Sequence, residues 1–183
     1  VNEHRVLIDP FITGNPVAVQ EASDFAPTHM FITHGHGDHW GDTEALAEAH
    51  DALVVSSAEI ADYAAARGLK AHGMNVGGGF DFPFGRVTVT PAWHSNSLPD
   101  GTYGGMPMGY VFELDGLTLY HAGDTGLFSD MALIADMGID VALLPIGDNY
   151  TMGPVQAAKA AQLLRVKVVI PMHYATFPVL VQT

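Results

Sequence analysis

The chain has 183 residues, 48% of them hydrophobic, and its 7 lysines and arginines against 20 acidic residues give a formal net charge of −13. This length and hydrophobic content predict a single globular domain over residues 1–183, while the negative charge repels phosphate backbones and acidic membrane surfaces and argues against nucleic acid as a substrate. The sequence contains no cysteine, which excludes disulfides and thiolate metal ligands.

Strand-like and helix-like stretches alternate along almost the whole chain. Short apolar and β-branched runs predict strands, which in chain order cover residues 6–8, 30–33, 53–55, 86–90, 110–113, 117–120, 141–145 and 168–170. Amphipathic stretches with capping residues predict helices that begin at Asp42 or Thr43, run from Ser56 to Gly68, cover residues 130–137, and begin at Pro154. Asp115-Gly116, between two strands, is a two-residue hairpin signal. This mixture of hairpin and crossover connections predicts an α/β or α+β sheet protein.

Residues His34 to His39 read His-Gly-His-Gly-Asp-His, a motif that a chain with 10 histidines produces by chance only rarely. Residues two apart on an extended segment point the same way, so the strand-like run before the motif aims His34 and His36 at one point. Asp38 and His39 lie at the entrance of the next helix, displaced from the first pair, where they could bind a second cation. The motif therefore predicts half of a metal site, and the alternative is a histidine-rich loop with adventitious metal binding.

Three further candidate ligands each follow a predicted strand: His94 in Trp-His-Ser, Asp124 in Ala-Gly-Asp-Thr, and His173 in Pro-Met-His-Tyr. A lone histidine at a strand end is more often a structural residue, so these residues become a metal-site hypothesis only together with the first motif. Imidazole and carboxylate ligands suit two divalent ions, best zinc (Zn²⁺), with Mn²⁺, Fe²⁺ or Ni²⁺ as alternatives. Such a pair lowers the pKa of a shared water from about 15.7 toward 7, so that a metal-bridged hydroxide could attack a substrate.

The order His-Gly-His-Gly-Asp-His, His, Gly-Asp-Thr and a final His resembles the metallo-β-lactamase superfamily. Four segments resemble more narrowly its branch of metal-dependent hydrolases related to ascorbate-6-phosphate lactonases: Leu7-Ile8-Asp9-Pro10-Phe11, His121-Ala122-Gly123-Asp124-Thr125-Gly126, Leu144-Pro145-Ile146-Gly147-Asp148 and Pro171-Met172-His173-Tyr174. The resemblance runs through essentially the whole chain and implies a four-layered αββα sandwich. It also implies that one metal is bound by His34, His36 and His94. The other metal would be bound by Asp38, His39 and His173, with Asp124 bridging both.

Members of the superfamily usually carry a strand before the position of Val1 and a further strand or helix beyond that of Thr183. The resemblance therefore implies a sandwich truncated at both ends, and an edge strand without its neighbour could pair subunits into a homo-oligomer. The chain has no stretch approaching the roughly 20 apolar residues of a membrane span and no signal pattern at its N-terminus. A cytoplasmic protein without a membrane partner is expected.

Four other residues are candidates for supporting the metals or contacting the substrate. Asp9 either orients a ligand histidine through a hydrogen bond or caps a turn. His121 either lies close to the site or points elsewhere. Asp148 and Asn149 either contact substrate or cap the helix that begins at Pro154.

Together these features predict a dinuclear metal-dependent hydrolase acting on an ester, lactone or phosphoester of a small-molecule metabolite. The predicted catalytic residue is Asp38, which besides binding metal could accept a proton or orient the nucleophile. The lactonase resemblance favours a cyclic ester or a phosphorylated small metabolite. The alternatives are a non-catalytic metal-binding or sensing protein on the same fold, and a nuclease or phosphodiesterase, which the acidic charge disfavours.

Overall fold

Two sheets of different size organise the described part of the chain in the computed structural model, which covers residue 1 and residues 3–182. The chain divides into two compact units, each made of two segments: Val1–Asn75 with Ser95–Pro107, and Val76–His94 with Met108–Thr183. The chain therefore passes from one unit to the other at three points, the second of which is the bond between His94 and Ser95. The expected truncation point at Thr183 lies outside the described residues.

The first unit contains a sheet of four parallel strands that lie in chain order. These strands are β1 (Val6–Ile8), β2 (His29–Phe31), β3 (Leu53–Ser57) and β4 (Ala71–Met74). The register pairs Leu7 with Met30, and Met30 with Val54. Because the strands are parallel, their carboxyl-terminal ends lie at one edge of the sheet, and Asp9 and His34 follow β1 and β2 at that edge.

Three helices belong to the first unit: α1 (Gly37–Trp40), α2 (Thr43–His50) and α3 (Ala58–Ala65), with a 3₁₀ turn at Ala22–Asp24. The hydroxyl of Ser57 caps α3 by accepting the N–H of Ile60 at 3.2 Å. Asp42 precedes α2 as predicted, but its carboxylate accepts the N–H groups of Ile12 and Thr13 and does not cap the helix. Leu46 of α2 and Ile60 of α3 are buried in the core beside the sheet, and burying such side chains stabilises the fold by about 1.5–3 kcal/mol each.

The second unit contains a sheet of six strands in the order β10, β9, β8, β7, β6, β5. These strands are β5 (Gly79–Phe82), β6 (Gly85–Pro91), β7 (Met108–Leu114), β8 (Leu117–His121), β9 (Val141–Pro145) and β10 (Val168–Met172). The predicted hairpin is confirmed, since β7 and β8 are antiparallel and Leu114 pairs with Leu117 across Asp115-Gly116.

The carboxyl-terminal ends of four strands lie at the same edge of this sheet. Strand β7 is antiparallel to both β6 and β8, so β6 runs parallel to β8, and β9 and β10 continue in that direction. His94, Asp124 and His173 follow β6, β8 and β10, respectively. The topology of the second unit therefore places three predicted ligands along one sheet edge.

The helices of the second unit are α4 (Met131–Ile134), which continues as a 3₁₀ turn over Ala135–Met137, and α5 (Pro154–Leu163). As predicted, α5 begins at Pro154, whose fixed φ angle and missing N–H suit the first position of a helix. The buried core of this unit includes Tyr120, Leu144, Ala160 and Leu164. Among the described residues, the structure contains no helix of a length and hydropathy that would span a bilayer.

Candidate metal centre

The histidine-rich motif follows β2 and turns directly into α1. His34 is fully buried, His39 is 6% exposed, and His36 and Asp38 are half-buried. Nε2 of His34 lies 3.0 Å from Nδ1 of His36. His34 and His39 offer ligand atoms within 4.8 Å of each other, as do Asp38 and His39. The first unit therefore brings all four residues of the motif into one group.

The spacing and chemistry of this group fit divalent metal ions. Two nitrogens that each lie 2.0–2.1 Å from a tetrahedral Zn²⁺ are about 3.3 Å apart, close to the 3.0 Å between the facing nitrogens of His34 and His36. The remaining donors are the imidazole of the third histidine of the motif, His39, and the carboxylate of Asp38. Such nitrogen and oxygen donors suit Zn²⁺, Mn²⁺, Fe²⁺ and Ni²⁺.

Asp9 sets which ring nitrogen of His39 can bind a metal. Its carboxylate oxygen Oδ2 lies 2.8 Å from Nδ1 of His39, and the side chains of both residues are only 8% exposed. A carboxylate only accepts, so Nδ1 of His39 carries the proton and the lone pair on Nε2 is the one that can bind a metal. Nε2 of His39 lies 3.8 Å from the carboxylate of Asp38.

Asp9 acts on His34 as well, through Thr33. The hydroxyl of Thr33 donates to Oδ2 of Asp9 at 2.6 Å and lies 3.0 Å from Nδ1 of His34. Because this hydroxyl has one proton and gives it to Asp9, it accepts the proton on Nδ1 of His34. The lone pair on Nε2 of His34 therefore faces His36. The backbone N–H of Thr33 also donates to Asp9, at 2.7 Å.

Asn96 holds the loop between the first two histidines in place. Its side-chain oxygen accepts the N–H of Gly35 at 2.7 Å, and its amide nitrogen donates to the carbonyl of Gly104 at 2.6 Å. The neighbouring Ser95 hydroxyl lies 3.4 Å from Nε2 of His36. This nitrogen faces Ser95, so Nδ1 of His36 is the atom that faces His34. Sequence reasoning missed Thr33 and Asn96, because neither belongs to a spacing pattern.

In the second unit, one carboxylate oxygen lies between two histidines. Oδ2 of Asp124 is 3.1 Å from Nε2 of His173 and 3.7 Å from Nε2 of His94. Asp124 is 3% exposed, and a buried carboxylate is costly unless cationic or hydrogen-bonding groups surround it. Two imidazoles directed at the same oxygen are the arrangement expected of a carboxylate that binds metal together with both rings.

Thr125 joins the segments that carry two of these residues. Its hydroxyl accepts the N–H of Trp93 at 2.9 Å and donates to the carbonyl of Gly126 at 2.8 Å. Trp93 comes directly before His94, and Thr125 comes directly after Asp124. Because Thr125 is fully buried, this hydroxyl fixes the backbones on which His94 and Asp124 stand. Sequence reasoning missed its role, although Thr125 belongs to the Gly-Asp-Thr segment.

The other candidates also lie at the carboxyl-terminal edge of the second sheet. His121 is the last residue of β8, and its Nδ1 accepts the N–H of Gly123 at 3.2 Å, which braces the turn before Asp124. Asp148 and Asn149 follow β9, are exposed, and have positive φ angles of 59° and 49°. His173, with a φ of 54°, is a third residue here in a conformation that side chains other than glycine seldom adopt. Such strained backbone is found preferentially at functional sites.

Comparison with known proteins shows close relatives over nearly the whole chain. A family model described as a beta-lactamase superfamily domain matches residues 4–174. A UPF0173 metal-dependent hydrolase from Thermus thermophilus is 56% identical over 174 residues, which are 95% of this chain and 77% of that protein. A UPF0173 metal-dependent hydrolase from Deinococcus radiodurans is 54% identical over 181 residues, which are 97% of this chain and 79% of that protein.

Solved structures show the same kinship. The structure of Igni18, a metallo hydrolase from Ignicoccus hospitalis, has a TM-score of 0.90 and 39% sequence identity, and the match covers 99% of this chain and 79% of that chain. The metallo-beta-lactamase fold protein YhfI from Bacillus subtilis has a TM-score of 0.65 at 13% identity, and the match covers 81% of this chain and 65% of that chain. At that identity, the second likeness concerns the fold alone.

Proposed function

The chain belongs to the beta-lactamase superfamily, and from this premise we propose that it hydrolyses an ester, lactone or phosphoester bond of a small molecule with the help of two divalent metal ions. It is a metal-dependent hydrolase, as its UPF0173 relatives are named. The predicted metallo-β-lactamase fold with mixed α/β structure is confirmed by the two sheets and by the solved neighbours. The narrower kinship with ascorbate-6-phosphate lactonases stays a prediction.

We assign one ion to His34, His36 and His94, and the other to Asp38, His39 and His173, with Asp124 bridging both. The observation that carries this proposal is that hydrogen bonds in the first unit fix which nitrogen of two histidine rings holds the proton. Hydrogen bonds of Asp9 and Thr33 direct Nε2 of both His34 and His39 toward metal binding. The position of Asp124 between His94 and His173 supports its bridging role.

The chemistry divides between the metals and the chain. Bound divalent ions would polarise the bond to be cleaved and lower the pKa of the attacking water. Asp38 is half-buried, and its carboxylate accepts the proton that the water gives up and returns it to the oxygen that leaves. Water thus adds to the carbonyl or phosphoryl centre, the bond to the leaving oxygen breaks, and the products are an acid and an alcohol. Asp9 and Thr33 keep the histidines in the tautomers that this requires.

The test is reconstitution of the purified chain with metal. Chelation should abolish the hydrolysis of a panel of lactones, phosphodiesters and thioesters, and addition of Zn²⁺ or Mn²⁺ should restore it with two metal ions per chain. His34→Asn should lose both metal and turnover, whereas His50→Asn, which changes an exposed histidine at the end of α2, should keep them. Turnover that survives complete metal removal, or a single metal on an inert protein, would reject the proposal.

A further inference from the structure

All seven proposed ligands lie in stretches of sequence that contain no lysine or arginine. These stretches are residues 6–66, 87–158 and 168–183. Sites that recognise phosphate or carboxylate groups typically use arginine or lysine side chains, which form charge-assisted hydrogen bonds to the oxygens. The loops that carry the ligands offer no such side chain.

Five of the seven basic side chains form ion pairs or hydrogen bonds with other residues, and the other two, Lys159 in α5 and Lys167, lie outside the ligand-bearing stretches. Arg67 pairs with Glu44 and Asp100, each at 3.4 Å. Three more ion pairs join Lys70 to Asp51, Arg86 to Asp81, and Arg165 to Asp136. Arg5 donates to the carbonyl of Ala26. Lys167 precedes β10, so it lies at the opposite end of that strand from His173.

Exposed aromatic side chains lie in the stretches of sequence that contain no lysine or arginine. Trp93 is 70% exposed, Tyr150 is 58% exposed and Tyr174 is 38% exposed. Trp93 immediately precedes His94, Tyr174 immediately follows His173, and Tyr150 follows β9. All three therefore belong to segments that leave the carboxyl-terminal edge of the second sheet.

The backbone at this edge is held by hydrogen bonds, so these aromatic residues stand on a fixed support. Trp93 is bonded on both sides, by its N–H to the hydroxyl of Thr125 at 2.9 Å and by its carbonyl to the N–H of Gly126 at 3.1 Å. The backbone carbonyl of Thr125 accepts the N–H of Met152 at 2.9 Å, and the carbonyl of Met152 accepts the N–H of Asp148 at 3.0 Å. The loop that carries Tyr150 is thereby tied to the same residue as Trp93.

We infer that the substrate is an uncharged ester or lactone with an aromatic group, and that Trp93 binds this group. The inference rests on the proposed hydrolase function and narrows its substrate class. Trp93 adjoins His94 in the sequence and is 70% exposed, and a large exposed ring gains by stacking on a flat apolar group. A phosphate elsewhere on the substrate, away from the bond that the metals would polarise, would instead face the exposed carboxylate of Asp148 at the same edge, with no lysine or arginine from the ligand-bearing loops to offset the repulsion.

Two lactones that differ only by a fused benzene ring provide the kinetic test: dihydrocoumarin and δ-valerolactone. With metal-reconstituted protein, Trp93→Ala should raise KM for dihydrocoumarin about fivefold to tenfold and leave kcat unchanged, because stacking acts equally on ground and transition states. KM for δ-valerolactone should not change, and Trp93→Phe should restore most of the loss. Leu133→Ala, which removes an exposed side chain on α4, is the matched control and should change neither KM.

A binding measurement separates this inference from the proposed function. Trp93 is exposed while Trp40 is 5% exposed, so quenchable tryptophan emission reports on Trp93. Chroman, which lacks the bond to be cleaved, should change this emission saturably, whereas tetrahydropyran should not. Saturable binding with no turnover of any probe would reject the proposed hydrolase function but support the binding of an aromatic group by Trp93. Turnover without chroman binding, equal effects of Trp93→Ala on both lactones, or a higher kcat/KM for bis(4-nitrophenyl) phosphate than for dihydrocoumarin would overturn the inference.

Discussion

Replacing Asp9 by asparagine should weaken metal binding at the ion assigned to His39. The carboxylate accepts three hydrogen bonds, two from Thr33 and one from Nδ1 of His39. An asparagine can present one oxygen and one NH₂ group in the same space. If its oxygen accepts the backbone N–H of Thr33, its NH₂ group faces His39, and two donors then meet.

The magnitude follows from the tautomer. His39 can relieve the clash by moving its proton from Nδ1 to Nε2, but Nε2 then has no lone pair for a metal. Loss of such a supporting hydrogen bond costs about 10- to 100-fold in metal affinity, which is about 1.4–2.7 kcal/mol. Competition titration of the apo protein against a chromophoric chelator measures this loss, and one of the two binding constants should fall while the other changes less.

Asp42→Asn is the matched control for this experiment. Like Asp9, Asp42 is a carboxylate of the first unit that accepts hydrogen bonds from the backbone. It accepts two N–H groups through the same oxygen, and neither bond involves a histidine. An asparagine can keep that oxygen in place, so both metal affinities should stay at the wild-type values. If Asp9→Asn binds both ions within twofold of the wild type, the argument that Asp9 sets the tautomer of His39 is wrong.

Two further predictions concern stability. Thr125→Val should lower the free energy of unfolding by about 1–3 kcal/mol, because the N–H of Trp93 loses its buried acceptor. Thr125→Ser should restore most of this stability. Equal urea midpoints for the two variants would contradict this. Burial raises the pKa of Asp42, but the hydrogen bonds from Thr13 and Ile12 lower it more, so the net pKa is below its usual 3.8. The stabilisation is therefore present above pH 3.8 and is lost as the pH falls through the folded-state pKa. The stability advantage of the wild type over Asp42→Ala should shrink between pH 7 and pH 3, and a difference independent of pH would refute this.

The sequence predicted the elements whose signals are local. The spacing of two residues predicted that His34 and His36 point to one place, and facing nitrogens of the two rings lie 3.0 Å apart, although β2 ends at Phe31, before the motif. The hairpin at Asp115-Gly116 followed from its turn residues. The sequence did not predict β4 and β5. Gly73 in β4 and Asp81 in β5 are poor strand residues, and both strands form because they pair with β3 and β6, respectively.

The residues that support the proposed ligands were harder to predict than the proposed ligands themselves. Asn96 reaches Gly35 across 61 positions of sequence, and such a hydrogen bond leaves no periodic signal. Asp42 was predicted to cap α2 because it directly precedes that helix. Its carboxylate instead accepts the backbone N–H groups of Ile12 and Thr13. Local rules identify which residue types can do a task, and the long-range hydrogen bonds decide which task each one performs.

The interleaving of the two units along the chain bears on how the protein is synthesised. A nascent chain that has emerged only as far as Asn75 carries the whole four-stranded sheet but lacks Ser95–Pro107, the returning segment of the same unit. Until Asn96 leaves the ribosome, the N–H of Gly35 has no amide oxygen to accept it, and the loop between the first two histidines is not yet fastened. Vectorial synthesis therefore delays completion of the loop that carries the first two proposed ligands until two strands of the other unit, β5 and β6, have been made.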